Sequence, residues 1–448
     1  MKIVIGGAGK VGYHLAKTLS VYHDIIIIDK NFEAISTLQD DLDVLALHGD
    51  VENPKIYLKC SKKVDFFIAV TNSDEVNMIA SLIIDDIIEV DKKIIRLKNS
   101  FFLESSIFEK LSIYASVFPS YHIASSLQRL LEFPLANNVK ELNIANLIML
   151  SVRVCNPDYV GYNIREISKE FDDIVAIVGL ERDKNFTIPL LNEVVKKDDL
   201  LYIIGEKEII KRRYANLEAP QKKEKKIENC IVFGANQVGV EMAKVLLKHG
   251  FEVKMIEHDL DLCEQASEAL QGEAIVLNSK YGWGHLLKEE GLDSADMVIA
   301  STTNDEYNMI KSIEAKRVGI SKVIAINNDR EYYSLMHTLG LVVIRGEKID
   351  TYYSILEKIN ADSLIVQKRY CGGRGVLLFK EISEHSRSVN RAIKLPSKIR
   401  ELSHAYIIRE GEIVSEWESL SYEVGDRLIL FAQSQHADAL EKWIYQAV

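Results

Sequence analysis

Three glycines and one aspartate carry the first chemistry in the chain. Gly7, Gly9 and Gly12 lie in Gly7-Ala8-Gly9-Lys10-Val11-Gly12, directly after an apolar run that ends at Gly6 and before an amphipathic one. A second apolar run, Ile25–Ile28, stops on Asp29, with Lys30 beside it. Strand, G-x-G-x-x-G turn, helix, and an acid at the tip of the next strand together make the dinucleotide fingerprint. Gly7 permits the tight turn, Gly9 leaves room for a pyrophosphate to touch backbone, and Gly12 lets the helix pack closely on the sheet. The helix N-terminus offers free N–H groups and a partial positive charge. Asp29 is placed to accept both ribose hydroxyls of an adenosine and to repel a 2′-phosphate. The site therefore prefers NAD, or another unphosphorylated adenosine, over NADP.

The elements that must position these residues follow in order. Leu47-His48-Gly49-Asp50 leads into a helix-like segment reaching about Lys63, then a strand, Val64–Val70, and the turn Thr71-Asn72-Ser73-Asp74-Glu75 that opens another helix. Polar residues beyond a strand's C-terminal end lie where open α/β sheets bind ligands, which adds Gly49, Asp50, Thr71, Asn72, Ser73 and Glu75 to the candidate site. Asn72, Ser73 or Asp74 also caps the helix. Arg96 puts a charge inside the apolar run Lys93–Leu97 and calls for an anionic partner, a phosphate or an acid such as Asp50. A strand near Ala115–Phe118 and an amphipathic helix, His122–Leu131, precede Pro134. Beyond it, strands at Leu147–Val154, Ile174–Leu180 and Asp199–Ile204, with a short helix at Asn163–Glu170, make a small α+β unit.

The chain then repeats itself. Cys230–Phe233 runs into Gly234-Ala235-Asn236-Gln237-Val238-Gly239, and Val253–Ile256 ends on Glu257. Thr302–Met309 matches Thr71–Met78 at five of eight positions, and Gly7 to Gly234 and Asp199 to Asp426 are both separated by 227 residues. The fold class is α/β, a tandem duplication of a Rossmann-like parallel-sheet domain and a small α+β domain. The units are 1–136 and 137–217, a charged linker at 218–226, then 227–360 and 361–448. The second fingerprint departs from the first: Asn236 replaces Gly9, Glu257 replaces Asp29, Asn278 replaces Gly49, and Ala325 stands where Arg96 stood. Asn tolerates a left-handed backbone, but its side chain takes room the pyrophosphate needs. Gly234, Asn236, Gln237, Val238, Gly239 and Glu257 are thus expected to form a weaker, altered or empty site.

A formal net charge of -11 argues against nucleic acid as a partner. Five scattered cysteines without C-x-x-C spacing indicate neither a disulfide framework nor a zinc site, and fit a reducing cytoplasm. The most apolar stretches are broken by charge within about ten residues, too soon to span a bilayer. No G-x-S-x-G, H-E-x-x-H or Walker lysine pattern occurs, and His48 and His285 read as surface or capping residues. The chain has no separate catalytic domain, so no catalytic residue and no metal ligand is expected. An NAD-dependent oxidoreductase, with the small domains holding substrate, is the competing reading.

The fingerprint, Asp29, Gly49-Asp50, Thr71–Met78, Arg96 and the small α+β unit, all present twice, closely resemble the RCK/KTN family. The likeness covers essentially the whole chain, including the second small unit at Ser421–Ala432. It implies tandem RCK_N and RCK_C domains in a regulatory subunit, cytoplasmic and peripheral on the inner face of the cell membrane. Such a subunit binds NAD(H), with ATP/ADP as the alternative, and forms a homo-oligomer, a dimer or a tetramer closing a ring. Its partner is an integral-membrane potassium-translocating subunit of the TrkH/TrkG type, whose transport it gates; regulation of another cation transporter is a third reading. In some relatives the residue after the middle glycine is an Arg that reaches a nucleotide phosphate across a subunit interface, and Lys10 and Gln237 occupy that place here. The resemblance also makes His122–Leu131 and Tyr352–Ile359 crossover helices that pack on a neighbouring domain, first within the chain. Their apolar residues, such as Ile123 and Leu127 or Tyr352 and Ile355, recur at helical spacing.

Overall fold

The computed structural model describes residues 1–142, 147–171, 175–183, 185–218, 227–279, 294–320, 322–359, 366–384, 386, 388–392, 394–410, 412–414 and 420–447. Residues 219–226 of the expected linker, and His285, lie outside them. The first six strands are β1 (Lys2–Gly6), β2 (Asp24–Asp29), β3 (Leu45–His48), β4 (Lys63–Ala69), β5 (Glu89–Arg96) and β6 (Ala115–Val117). They form a parallel sheet in the order β3-β2-β1-β4-β5-β6. Its strands are apolar on both faces because helices cover both. Ile3, Ile5 and Ile27 enter one core, and Val4, Ile28 and Phe67 the other. The strand order reverses between β1 and β4, which puts the turns after those two strands at the switch point where open sheets hold ligands.

A second parallel sheet repeats that order with Asn229–Phe233, Glu252–Glu257, Ile275–Asn278, Met297–Ala300, Lys322–Asn327 and Val342–Arg345. Each parallel sheet is followed by a five-stranded antiparallel one, and these small sheets pack on each other. Val178, Tyr202 and Ile204 share a core with Tyr370, Leu377 and Phe431. Tyr370 Oη donates to Val178 O at 2.9 Å, and Gln433 Nε2 donates to Phe186 O at 3.0 Å.

The two halves exchange helices within the chain. Helix Pro119–Glu132 packs on helix Gln237–Lys248, burying Ile123, Leu127 and Leu130 with Val238 and Met242. Helix Glu347–Ile359 packs on helix Lys10–Leu19, burying Tyr352, Ile355 and Ile359 with Val11 and Leu15. Both crossover helices are longer at their N-termini than the periodicity indicates. Pro119 supplies a first position whose missing N–H is no loss, and Glu347 begins a polar first turn. The helix expected up to Lys63 shrinks to Pro54–Tyr57, capped by Asn53, because the polar run Lys59–Lys63 gives it no apolar face to bury.

Candidate nucleotide-binding site

Gly7 adopts φ +110°, and its N–H donates to Ile28 O at 2.8 Å, turning the chain out of β1. A Cβ at Gly12 would lie 1.8 Å from Gly7 O, so only glycine permits this helix to approach the loop. Gly9 is the N-cap of helix Lys10–Leu19 and brings no capping side chain, and a Cβ there would meet nothing within 4 Å. The first-turn N–H groups are therefore left to an anion, with open space in front of them. Ala8 and Val11 are buried core residues.

Asp29 does more than await a ribose. Its Oδ2 accepts from Ala8 N at 2.6 Å and its Oδ1 from Asn31 N at 2.8 Å, which clasps the fingerprint to the end of β2. Each oxygen keeps a further lone pair for a hydroxyl. Gly49 N donates to Asp29 O at 2.9 Å, and a Cβ on Gly49 would fall 2.7 Å from Ile56. The exposed Lys30 offers its carbonyl to His48 Nε2 at 3.1 Å, a surface contact that fits the capping reading of His48.

The turn after β4 is held from below by Asn77. Asn77 Oδ1 accepts from Thr71 N at 3.0 Å and Thr71 Oγ1 at 2.7 Å, while its Nδ2 donates to Arg96 O at 2.8 Å. Ser73, rather than Asn72 or Asp74, is the cap: its Oγ accepts from Val76 N at 3.2 Å and donates to Glu75 Oε2 at 2.6 Å. That bond holds the exposed Glu75 carboxyl below the usual carboxylate range. Asp74 is buried and accepts from Lys98 N and Asn99 N, tying the turn to the end of β5.

Arg96 is buried, as an arginine with a partner should be, but the partner is not Asp50. Asp50 Oδ1 accepts from Glu52 N, whereas Arg96 Nη2 lies 3.5 Å from Glu347 Oε2 on the crossover helix and Nη1 lies 3.4 Å from Asn72 Oδ1. Arg96 Nε is buried without any partner. Lys10 Nζ reaches into the other half, 3.7 Å from Asp329 Oδ2. The first site is thus bordered by Glu347 and Asp329, residues of the second half.

The second copy keeps the scaffold and changes the cradle. Gly234 has φ +101°, and a Cβ on Gly239 would lie 2.0 Å from Gly234 O. Thr302, Asn308 and Ser312 repeat the bonding of Thr71, Asn77 and Ser81. Asn236 does not simply fill the pyrophosphate space: Oδ1 accepts from Gly239 N at 3.0 Å and Nδ2 donates to Ser301 O at 2.7 Å, so a side chain already caps this helix. Gln237 Nε2 turns to Glu241 Oε1 at 3.3 Å, and Val238 is packed beneath the first crossover helix. Glu257 is buried and accepts from Ala235 N, His258 N and Asp259 N at 3.0, 2.7 and 3.1 Å.

The residue standing for Arg96 is Ile326, not Ala325. Asn308 Nδ2 donates to Ile326 O as Asn77 donates to Arg96 O, and Ala325 pairs with Ala300 as Ile95 pairs with Ala69. The offset between the copies is 227 residues from Gly7 to Gly234 and 230 from Arg96 to Ile326, so no single period locates the equivalent residue. The site still loses its cation, to a buried isoleucine.

The profile of the TrkA-N domain family matches residues 3–119 and again 230–345. The chain belongs to the TrkA-N family. Among its relatives are the Trk system potassium uptake protein TrkA homolog 2 of Methanosarcina mazei, 28% identical with 99% of both chains covered, and the TrkA homolog of Archaeoglobus fulgidus, at the same identity and coverage. The Trk system potassium uptake protein TrkA of Halomonas elongata is 27% identical over 96% of this chain and 95% of that one. Among solved structures, the GsuK RCK domain superposes with TM-score 0.60 at 15% identity, covering 99% of this chain and 95% of its own. The GsuK channel bound to NAD gives TM-score 0.61 at 16% identity, covering 99% and 79%. The tandem RCK fold is therefore shared along this TrkA-N chain.

Among the described residues no helix is long and apolar enough to cross a membrane, and no group of three or more His, Cys, Asp and Glu could hold a metal ion. Sequence reasoning missed Glu347 and Asp329. Neither lies in a motif, and only the exchange of helices brings them to the first site. Asn77 was within reach, since it recurs as Asn308 in the repeated turn.

Proposed function

We propose that this chain is the regulatory subunit of a potassium-uptake system, and that NAD(H), or ATP/ADP at the same place, binds at the first fingerprint and biases transport. The relatives' names and the tandem TrkA-N match support the system; the uncapped helix, the open space at Gly9 and Asp29 support the ligand. The observation that carries the reading is the Arg96–Glu347 pair, because it joins the ligand pocket directly to the helix that packs the two halves together. A phosphate that competes for Arg96 would shift the equilibrium between two packings, which is all a ligand can do to gate a partner. The sites proposed are Gly7–Gly12, Asp29, Lys30, Gly49, Asp50, Thr71–Ser73, Glu75 and Arg96, with the second fingerprint altered or empty. The chain acts without chemistry of its own.

Assembly into a ring of chains on the cytoplasmic face of an integral-membrane potassium subunit belongs to the same proposal. Ile79 and Leu82 are exposed on one helix, and Ile310 and Ile313 are exposed at matching places on its repeat, so both halves present the same apolar stripe. The test is potassium flux through a potassium-translocating membrane subunit from the same cell, reconstituted in vesicles with and without the chain, as NADH or ATP is added. Flux that depends on the chain and on nucleotide supports the reading. Flux indifferent to both, or steady NADH oxidation by the chain with a carbonyl substrate, overturns it.

A further inference from the structure

Between the first small sheet, the second nucleotide-binding unit and the two crossover helices lies a cavity of about 420 Å³, within the range of small-molecule sites. No residue of either fingerprint, nor Asp29 or Glu257, lines it. Its walls carry the guanidiniums of Arg129, Arg345 and Arg369, none ion-paired with a carboxylate among the described residues. Of the carboxylates on the walls, Glu357 lies 3.8 Å from Lys140 Nζ, Asp350 Oδ2 lies 3.0 Å from His122 Nδ1, and Glu141 is the third. With the histidines neutral, four cations, Arg129, Lys140, Arg345 and Arg369, face three carboxylates.

Two buried polar atoms on these walls have no hydrogen-bond partner, Arg129 Nε and Ser151 Oγ. Ser151 is 2% exposed and lines the cavity together with Met149 and Leu150 of the same strand. Natural folds rarely bury such groups unpaired, so each needs an explanation. Arg129 Nη2 donates to Ser126 Oγ at 2.9 Å, which fixes the plane of its fork. Arg345 is fixed too: it stacks 4.5 Å from the centre of the Tyr353 ring and donates to Arg369 O at 3.3 Å.

We propose that this cavity binds a small phosphate-bearing anion, held by Arg129 and Arg345 and by a hydrogen bond from Ser151 Oγ. Preset guanidinium forks match phosphate oxygens, and the positive excess on the walls favours an anion. The occupant touches three packed units at once, so its binding stiffens the joint between them.

The experiment is calorimetric titration of inorganic pyrophosphate, and separately of succinate, into the full chain held in saturating NAD. Pyrophosphate binds, and succinate binds about tenfold more weakly or not at all. Arg129→Gln and Ser151→Val each weaken pyrophosphate binding at least about fivefold, while affinity for NAD stays at the wild-type value. Absence of pyrophosphate binding by the wild type, unchanged binding in both variants, or succinate binding as tightly as pyrophosphate would overturn the proposal. Affinity for NAD is read separately, so failure here leaves the regulatory reading standing.

Discussion

Arg96 at the end of β5 and Glu347 at the start of the second crossover helix lie 3.5 Å apart, an ion pair between the two halves of the chain beside the fingerprint. Glu347 also accepts at 2.7 Å from Oγ of Ser120, a residue in the first turn of the other crossover helix. The first turns of the two crossover helices therefore meet, and the first site is joined to that meeting point.

Glu347→Gln releases Arg96 from its carboxylate while keeping the bond to Ser120. The freed guanidinium is then available to a nucleotide phosphate. Calorimetry should show adenine-nucleotide affinity raised roughly threefold to tenfold, up to about 1.4 kcal/mol. Unchanged affinity would separate this pair from the ligand.

Asp29→Asn removes the charge and one acceptor oxygen. A hydrogen bond to a charged group contributes about 1.5–3 kcal/mol, so NAD affinity should fall by roughly tenfold to a hundredfold. Because Asp29 also clasps Ala8 and Asn31, Tm should drop by a few degrees in the same variant. Wild-type affinity for NAD in this variant would remove Asp29 from the site.

Gly9→Asn copies into the first half the cap found at Asn236. The open space at Gly9 accommodates the side chain, and Asn for Gly at an N-cap changes stability by only a few tenths of a kcal/mol. The variant should fold as the wild type does, yet bind NAD more weakly, because a side chain now occupies the helix N-terminus. Normal binding would mean that the difference between the halves lies elsewhere, with Ile326 the next suspect.

Acid should loosen the joint around Glu181. Burial lowers the His337 pKa, against the pull of Glu181 Oε1 at 3.8 Å, so the fold holds this imidazole neutral. The unfolded chain takes up that proton below about pH 6.5, and stability is lost as pH falls from there until folded His337 itself protonates. Burial would raise the Glu181 carboxyl, but Arg374 at 2.7 Å and its other neighbours outweigh it and hold it low, so its contribution is lost only at more acidic pH. Thermal melts at pH 7.5 and 5.5 should show a smaller drop in Tm for His337→Gln than for the wild type. Equal drops would place the pH sensitivity elsewhere, with the half-buried His404, whose pKa is also lowered by desolvation, the first alternative.

Much of this was legible in the sequence because it is local. The Gly7–Gly12 turn, Asp29 and the repeated Thr71–Met78 turn are fixed by backbone geometry within a few residues, and the 227-residue period exposes the duplication. Arg96 was recognisable as a buried charge in need of a phosphate or an acid such as Asp50, and the acid beside it proved to be Glu347. Such a partner depends on how the two halves pack, which periodicity does not encode. Ala325 was misplaced by one position because the offset between the copies drifts, from 227 residues between Gly7 and Gly234 to 230 between Arg96 and Ile326, so no single period locates the equivalent residue. Asn236 read as an obstruction in the cradle, whereas its amide bonds Gly239 N and Ser301 O, a choice set by local acceptors rather than by volume.

The number of NAD molecules bound per chain, measured by calorimetric titration of the full chain, bears most directly on the central claim. One tight site per chain, weakened roughly tenfold to a hundredfold by Asp29→Asn, is the result this structure leads to. No binding, or two sites of equal affinity that survive that substitution, would contradict it.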